Sequence, residues 1–256
     1  MHQSMHPSVS WFPLDNSAKL FPAIVSVKDS CVYRMAAELT RPVDPAVLQQ
    51  AVIDVKPRFP SMYVRLRRGL FWNYFEQNDA LPLIAEESGH VNAYIDVVKN
   101  RRYHFRVLYF GNRVSLETFH GITDGTGAME LLKAILFRYL ELLGEPVAAD
   151  ERIRTREQDA TPDEMEDSAL RYYGKLKQER SRPEPAYRLS GTRYDTGDGV
   201  AVLHARMRAS EISLRAKRYD ATLTQYLAAV YIQALMEAGP DCADSGKTVQ
   251  LSIPVN

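Results

Sequence analysis

Strand and helix signals alternate through the first 143 residues, a long polar stretch follows, and a shorter second run of such signals closes the chain. Trp11-Phe12-Pro13-Leu14-Asp15-Asn16 opens on an aromatic anchor and leads into a turn or single helical turn through Phe21-Pro22. Ile24 to Leu39 has strand character, with Lys28-Asp29-Ser30 as a polar break that predicts a hairpin or bulge. Asp44 and Pro45 then start a helix, one as cap and the other in the first turn, with an apolar stripe from Val47 to Val55 and an end at Pro57. Met62 to Phe75 predicts one or two strands with a turn at Gly69, whereas Leu81 to Val91 is acidic and irregular.

Tyr103, Phe105, Val107 and Tyr109 recur at period two and predict a strand with one core face, His104 and Arg106 lying on the other. Gly111-Asn112 makes the turn. Val114-Leu116-Thr118-His120 forms the inward row of the next strand, and Ser115 and Glu117 the outward row. From Thr126 to Leu143 the apolar positions Met129, Leu132, Leu136, Tyr139 and Leu143 predict a helix stopped by Gly144. Residues 145–198 are charged and polar with four prolines, which reads as a connecting segment with a surface helix over Asp163 to Glu179. After a turn at Gly197-Asp198-Gly199 come a strand (Val200–Met207), two helices (Glu211–Tyr219 and Thr222–Ala238, the second capped by Thr222 or Thr224) and a closing strand (Val249–Val255). The organisation is a first lobe over residues 1–150, a connector over 151–198, and the beginning of a second lobe over 199–256. An apolar strand as last element suggests a sequence that stops in mid-domain.

Composition narrows the function classes. A chain of 256 residues, 45% hydrophobic and 25% charged, is ordinary for a soluble globular protein. Lys+Arg and Asp+Glu are both 32, which gives no support for a nucleic-acid partner. Cys31 and Cys242 show no ligand or disulfide spacing, no apolar window approaches a membrane span, and Met1 to Ser10 lacks a signal-peptide core, so a cytoplasmic location is expected.

The chemistry concentrates in Phe119-His120-Gly121-Ile122-Thr123-Asp124-Gly125-Thr126-Gly127, where a strand runs into a loop and a helix start. Histidine titrates near neutrality, which suits a general base, and Asp124 could fix the loop through its backbone or an arginine. Gly125 and Gly127 would allow positive φ or a close ligand approach. The bland reading is a hydrogen-bonded polar residue closing a strand. A metal site is not expected, because His104 and His120 lie on different strands with no third ligand evident. No nucleophile elbow, P-loop or dinucleotide fingerprint is present.

Phe119 to Gly125 resembles the His-His-x-x-x-Asp-Gly motif of the chloramphenicol acetyltransferase-like superfamily, which includes peptide-synthetase condensation domains and alcohol O-acetyltransferases. Leu14 to Pro22, Arg58-Phe59-Pro60 and Gly69-Leu70-Phe71-Trp72 are similar to segments of its bacterial alcohol acetyltransferase-like branch, in the same order. The resemblance implies an α/β (α+β sandwich) fold of two lobes, each a mixed, mainly antiparallel sheet backed by helices, with the active site in a tunnel between them. It implies His120 as general base, Asp124 as a structural aspartate that pairs with an arginine (Arg34 or Arg41), and Gly125 as part of the loop. The co-substrate would be a thioester on CoA or a carrier protein, the acceptor a small alcohol or amine, with no permanently bound cofactor. Two departures stand out: Phe119 replaces the first histidine, and the second lobe stops early, without the Asp-Phe-Gly-Trp-Gly-type segment. The expected activity is acyl transfer without an acyl-enzyme. Its rival is a catalytically incomplete lobe that binds a partner, either a missing second lobe or another copy, and hydrolysis by His120 and Asp124 is a third reading. Arg65, Arg67 and Arg68, or Arg101 and Arg102, could form a basic patch for CoA, although solvated strand and loop arginines are the favoured reading.

Overall fold

In the computed structural model, which describes residues 11–16, 18–164, 166–167, 171–172, 184–188, 202–239, 242 and 245–253, the chain divides into two units. The first comprises Met1–Gly174 with Thr196–Ala201, and the second Lys175–Asp195 with Val202–Asn256. The first unit holds a three-stranded antiparallel sheet of β1 (Trp11–Pro13), β3 (Val64–Arg68) and β4 (Asn73–Gln77) in the order β1-β4-β3. Its main sheet has four strands, β2 (Val32–Glu38), β5 (Ile84–Glu86), β6 (Phe105–Phe110) and β7 (Arg113–Phe119), in the order β2-β7-β6-β5. Only the β5–β6 pair is parallel.

A short α1 (Phe21–Ile24) precedes β2, and two longer helices, α2 (Pro45–Asp54) and α3 (Gly125–Leu142), pack on one face of the main sheet. Asp44 caps α2 as expected, its carboxylate accepting from the amides of Ala46 and Val47. Leu48, Ala51 and Val52 of α2 and Leu131, Leu132 and Ile135 of α3 meet Phe105, Val107, Val114 and Leu116 of the sheet in one core. Buried tyrosines find backbone partners there: Tyr63 donates to the Val52 carbonyl, and Tyr139 accepts from the Asp44 amide.

Several expectations change. The strand predicted from Ile24 begins only at Val32, because Pro22 starts a helical turn and Cys31 takes a left-handed φ of 50° that redirects the chain. Within the irregular 81–91 stretch, β5 forms: Gln49 accepts from the Ile84 amide and donates to the Pro82 carbonyl, pinning a strand too short to show alternation. The buried face of α3 is wider than the predicted stripe and turned from it, with Ala128, Leu131, Ala134 and Phe137 covered and Met129 and Leu143 exposed. Gly144 ends that helix at φ 74°.

The largest change concerns Glu117, predicted to face outward and found without exposed surface. Its Oε1 accepts from Arg34 Nη2 at 2.7 Å and the Asn92 amide at 2.7 Å, and its Oε2 from Arg106 Nε at 2.6 Å. Arg34 also donates to Glu87 at 2.6 Å, and Glu87 accepts from Arg113 at 3.0 Å. The second face of the sheet is therefore covered too, and β7 is buried on both sides. Burial opposes the charge on Glu87, yet Arg34 and Arg113 hold its carboxyl below the ordinary range.

In the second unit, α4 (Ala209–Lys217) and α5 (Leu223–Ala238) are the predicted helices. Thr222 caps α5 in a reciprocal box with Gln225. The strands expected on either side are not found among the described residues, where Ala186 and Thr248 make an isolated bridge and 202–208 and 249–253 lie outside any strand. An extended apolar segment becomes a strand only when a neighbour supplies its ladder. Of the predicted connector helix, a 3₁₀ turn at Pro162–Glu164 and a helical Arg171-Tyr172 are described. Residues 166–167 are described but not helical, and the rest of that helix, the turn at 197–199 and residues 1–10 lie outside the described residues.

Breaking a buried ion pair by removing one partner leaves the other charge uncompensated, at a cost of about 3–5 kcal/mol. Glu117→Gln should lose stability on that scale in urea denaturation. The Glu87 contribution has the sign of a depressed carboxylate: it is full above the ordinary value and lost as pH falls through the folded one. Wild-type stability should thus fall on acidification below roughly pH 5, and Glu87→Gln should show a shallower fall over the same range.

Candidate active site

β7 pairs with β2 up to Val32↔Phe119, and one further bond, from the His120 amide to the Cys31 carbonyl at 2.8 Å, carries the pairing past the strand end. The chain then turns, the Ile122 amide donating to the Phe119 carbonyl at 3.1 Å, and enters α3 at Asp124. His120 is therefore not an inward-facing core residue, as the alternation predicted. It is exposed at the sheet edge, where the strand face opens into a cavity of about 720 Å³.

Aromatic rings hold the imidazole. Phe21 stacks on it at 4.8 Å with an interplanar angle of 6°, and Tyr33 lies tilted at 4.9 Å. Among the described residues no group hydrogen-bonds its ring nitrogens. The Tyr33 hydroxyl lies 3.0 Å from the Thr123 carbonyl and 2.5 Å from that of Asp124, tying the loop to β2. Burial first, and then the charge of Asp124, push the Tyr33 phenol well up, so it serves as a neutral donor.

Asp124 fixes the loop with no arginine partner among the described residues. Its carboxylate accepts from the Gly127 amide at 2.9 Å as the cap of α3. Of the two candidate arginines, Arg34 belongs to the Glu117 and Glu87 cluster and Arg41 pairs with Glu145. The glycines act by close approach, since neither Gly125 nor Gly127 has positive φ. A Cβ on Gly127 would lie 2.0 Å from Thr123 Oγ1, and one on Gly121 would lie 2.4 Å from the Phe119 ring; on Gly125 it would meet only Met35 Cε, at 3.3 Å. Phe119 can fold back beneath the loop only because Gly121 follows His120 by one residue.

Sequence reasoning missed Arg58 as a cavity residue. The residue is 3% exposed and grips Glu164 with both terminal nitrogens, at 2.6 and 2.8 Å, while its buried Nε has no hydrogen-bond partner among the described residues. Those bonds hold the Glu164 carboxyl below its ordinary value. The signal was the Arg58-Phe59-Pro60 run, but nothing local shows that its partner lies 106 residues away. Among the described residues no group of three or more His, Cys, Asp or Glu is placed to hold a metal ion, and no helix is long and apolar enough to cross a membrane.

No protein-family model matches the chain, and no curated protein matches it in sequence. Solved structures do. The condensation domain from the Monacolin K polyketide synthase MokA is 14% identical at a TM-score of 0.50, covering 90% of this chain and 60% of its own. The starter condensation domain of the rhizomide synthetase RzmA (mutant R148A) is 11% identical at 0.44, covering 64% of this chain and 44% of its own. The SgcC5 protein from Streptomyces globisporus is 16% identical at 0.42, covering 57% and 40%. This chain thus spans 60% or less of the length of these structures.

If Asp124 acts as a cap and not as a charge, Asp124→Asn keeps an acceptor for the Gly127 amide. It should retain stability and activity within a few-fold. Asp124→Ala should lose about 1 kcal/mol in thermal denaturation. A large loss of activity in the Asn variant at unchanged stability would assign the charge itself a role. What the geometry and the MokA likeness establish together is the fold: a mixed α/β architecture of mainly antiparallel sheets backed by helices, of the condensation-domain type.

Proposed function

We propose that the chain carries the general base of an acyltransferase that moves an acyl group from a thioester, on CoA or a carrier protein, to an alcohol or amine. The observation that carries this reading is His120 itself: an exposed imidazole, flanked by two aromatic rings, in the wall of a large cavity at a helix start. One ring nitrogen takes the proton of the acceptor O–H or N–H as that atom attacks the thioester carbonyl. The tetrahedral intermediate collapses with cleavage of the C–S bond, and the imidazolium returns the proton to the departing sulfur. Base assistance of this kind is worth roughly 10²–10⁴-fold, and positioning supplies a further share.

Direct transfer fits the surroundings better than an acyl-enzyme. No serine hydroxyl or cysteine thiol hydrogen-bonds to the His120 imidazole among the described residues. Cys31, whose carbonyl meets the His120 amide, has a thiol pushed up by burial and by Asp29, which keeps it protonated and a poor nucleophile. An acetyl donor and an alcohol acceptor remain the branch-level expectation from the sequence resemblance, and a cytoplasmic setting the expectation from cysteine usage and the N-terminal sequence.

A second reading draws on α5. The helix is rich in Leu, Ala and Val, yet none of its residues is buried, and Leu227, Val230 and Tyr231 are exposed. In this version the chain is the base-bearing part of an assembly, and a partner chain or second copy covers that helix. It predicts no thioester turnover by the chain alone.

His120→Ala should reduce transfer, followed as free thiol released from acetyl-CoA in the presence of an alcohol, by about 10²–10⁴-fold with unchanged thermal stability. Near-normal turnover by that variant would remove His120 from the mechanism.

A further inference from the structure

The β3–β4 hairpin carries apolar residues in two places that the fold treats differently. Val64 and Phe75 face inward and are buried against Leu14 and Ala18. Leu70, Phe71 and Trp72, at the tip between Arg68 and Asn73, are 96%, 87% and 67% exposed. Gly69 closes this tip: its amide donates to the Trp72 carbonyl at 2.9 Å, and a Cβ there would lie 2.7 Å from the same oxygen. The Phe71 and Trp72 rings pack on each other at 6.1 Å. The three side chains therefore stand together beyond the end of the ladder. Single exposed apolar residues are ordinary, but three large ones in a row at a turn replace the polar residues that turns usually carry and mark a contact surface.

Behind the tip the hairpin is cationic and aromatic. Arg68, the last residue of β3, is exposed and has no carboxylate partner among the described residues. Pairing sets Arg67 opposite Tyr74 and Arg65 opposite Glu76, with Trp11 of β1 opposite Glu76 from the other side. By alternation these five share the sheet face turned away from Val64, Leu66 and Phe75. Trp11, 55% exposed, packs edge-on against Tyr74 at 6.3 Å. Arg65 and Arg67 share the one carboxylate of Glu76, at 2.5 and 2.8 Å. Three guanidiniums against one carboxylate leave the hairpin with two net positive charges, in a chain whose total is zero. From the tip inward the order is apolar, then cationic, then aromatic and cationic. A bilayer surface presents the matching order from inside out: acyl chains, lipid phosphates, and the headgroup layer where Trp and Tyr settle.

We propose that the β3–β4 hairpin seats this chain on an anionic lipid surface, with Leu70, Phe71 and Trp72 at the boundary of headgroups and acyl chains and Arg67 and Arg68 among the lipid phosphates. Fluid lipid accommodates a protruding turn of any shape, whereas a protein surface must be cut to receive it, so the chemistry of the hairpin alone suffices for the contact. Binding of this kind is peripheral and reversible, and it uses no membrane-spanning helix. The inference does not depend on the acyltransfer reading.

Flotation of the full chain with vesicles of phosphatidylcholine, and of phosphatidylcholine mixed with phosphatidylglycerol, tests it without any turnover. The chain should bind the mixed vesicles at least about tenfold more strongly than the neutral ones, and added salt should weaken that binding. Trp11→Phe leaves Trp72 as the sole tryptophan, and its emission should move to shorter wavelength on the mixed vesicles. Leu70→Ser combined with Phe71→Ser should lower vesicle binding at least about tenfold, and Arg68→Glu several-fold. Both should keep the thermal stability of the wild type, because these side chains lie outside the buried clusters. Phe110→Ser, at the exposed end of β6 beside an arginine already paired with Glu87, should leave binding unchanged. Absence of flotation, equal binding to neutral vesicles, or binding unaffected by the Leu70 and Phe71 substitutions overturns the proposal. So does a dimer in light scattering that those substitutions dissolve while vesicles leave Trp72 emission unchanged, which assigns the tip to a second copy. His120→Ala should float as the wild type does, so the base assignment and the lipid contact fail separately.

Discussion

A carboxylate with no exposed surface sits in the middle of the central strand, and the rest of the first unit is arranged around satisfying it. Glu117 on β7 is gripped by Arg34 from β2 and Arg106 from β6, the two strands that flank it, and by the Asn92 amide from the loop that covers the sheet. A buried carboxylate left without partners costs several kcal/mol, so these three neighbours cannot be displaced independently. β7 is thereby fixed on both faces, and His120 lies three residues beyond Glu117 on the same chain. The position of the imidazole is inherited from that clamp and then refined by the Cys31 carbonyl, the Phe21 ring and the Tyr33 ring.

Much of this was legible in the sequence where the signal is local. The Asp44 cap, the β3–β4 hairpin about Gly69, the β6–β7 hairpin about Gly111 and the long α3 each depend on residues a few positions apart, and each formed where expected. What was not legible depends on distant partners. Ile84 becomes a strand because Gln49 and β6 meet it, and Arg58 enters the cavity because Glu164 folds back to it. Glu117 read as outward because alternation cannot say whether a second layer covers the outer face. The same limit explains His120: the alternation that made it inward holds through Thr118, but the strand ends at Phe119 and the next side chain belongs to the cavity.

The loop between β7 and α3 is held by contacts of its own residues. Asp124 here steadies the loop through a helix cap, and Tyr33, not an arginine, ties the loop to the neighbouring strand. Phe119 lines a cavity of about 440 Å³ beside Arg65, Arg67 and Arg102, and Gly121 is the residue that lets its ring lie there. These assignments come from geometry within the first unit alone. The likeness to condensation domains, at 14% identity and a TM-score of 0.50, supports the architecture in which they sit.

In the proposed reaction His120 assists direct transfer of an acyl group from sulfur to an acceptor, without a covalent intermediate on the protein. Mixing the chain with an excess of acyl thioester, with and without a small alcohol or amine, and following both free thiol and intact protein mass tests this most directly. The account predicts thiol release only when the acceptor is present, with the acyl group on the acceptor and no mass gained by the protein. Acceptor-independent thiol release, or an acylated protein that forms and decays at the rate of turnover, would contradict it.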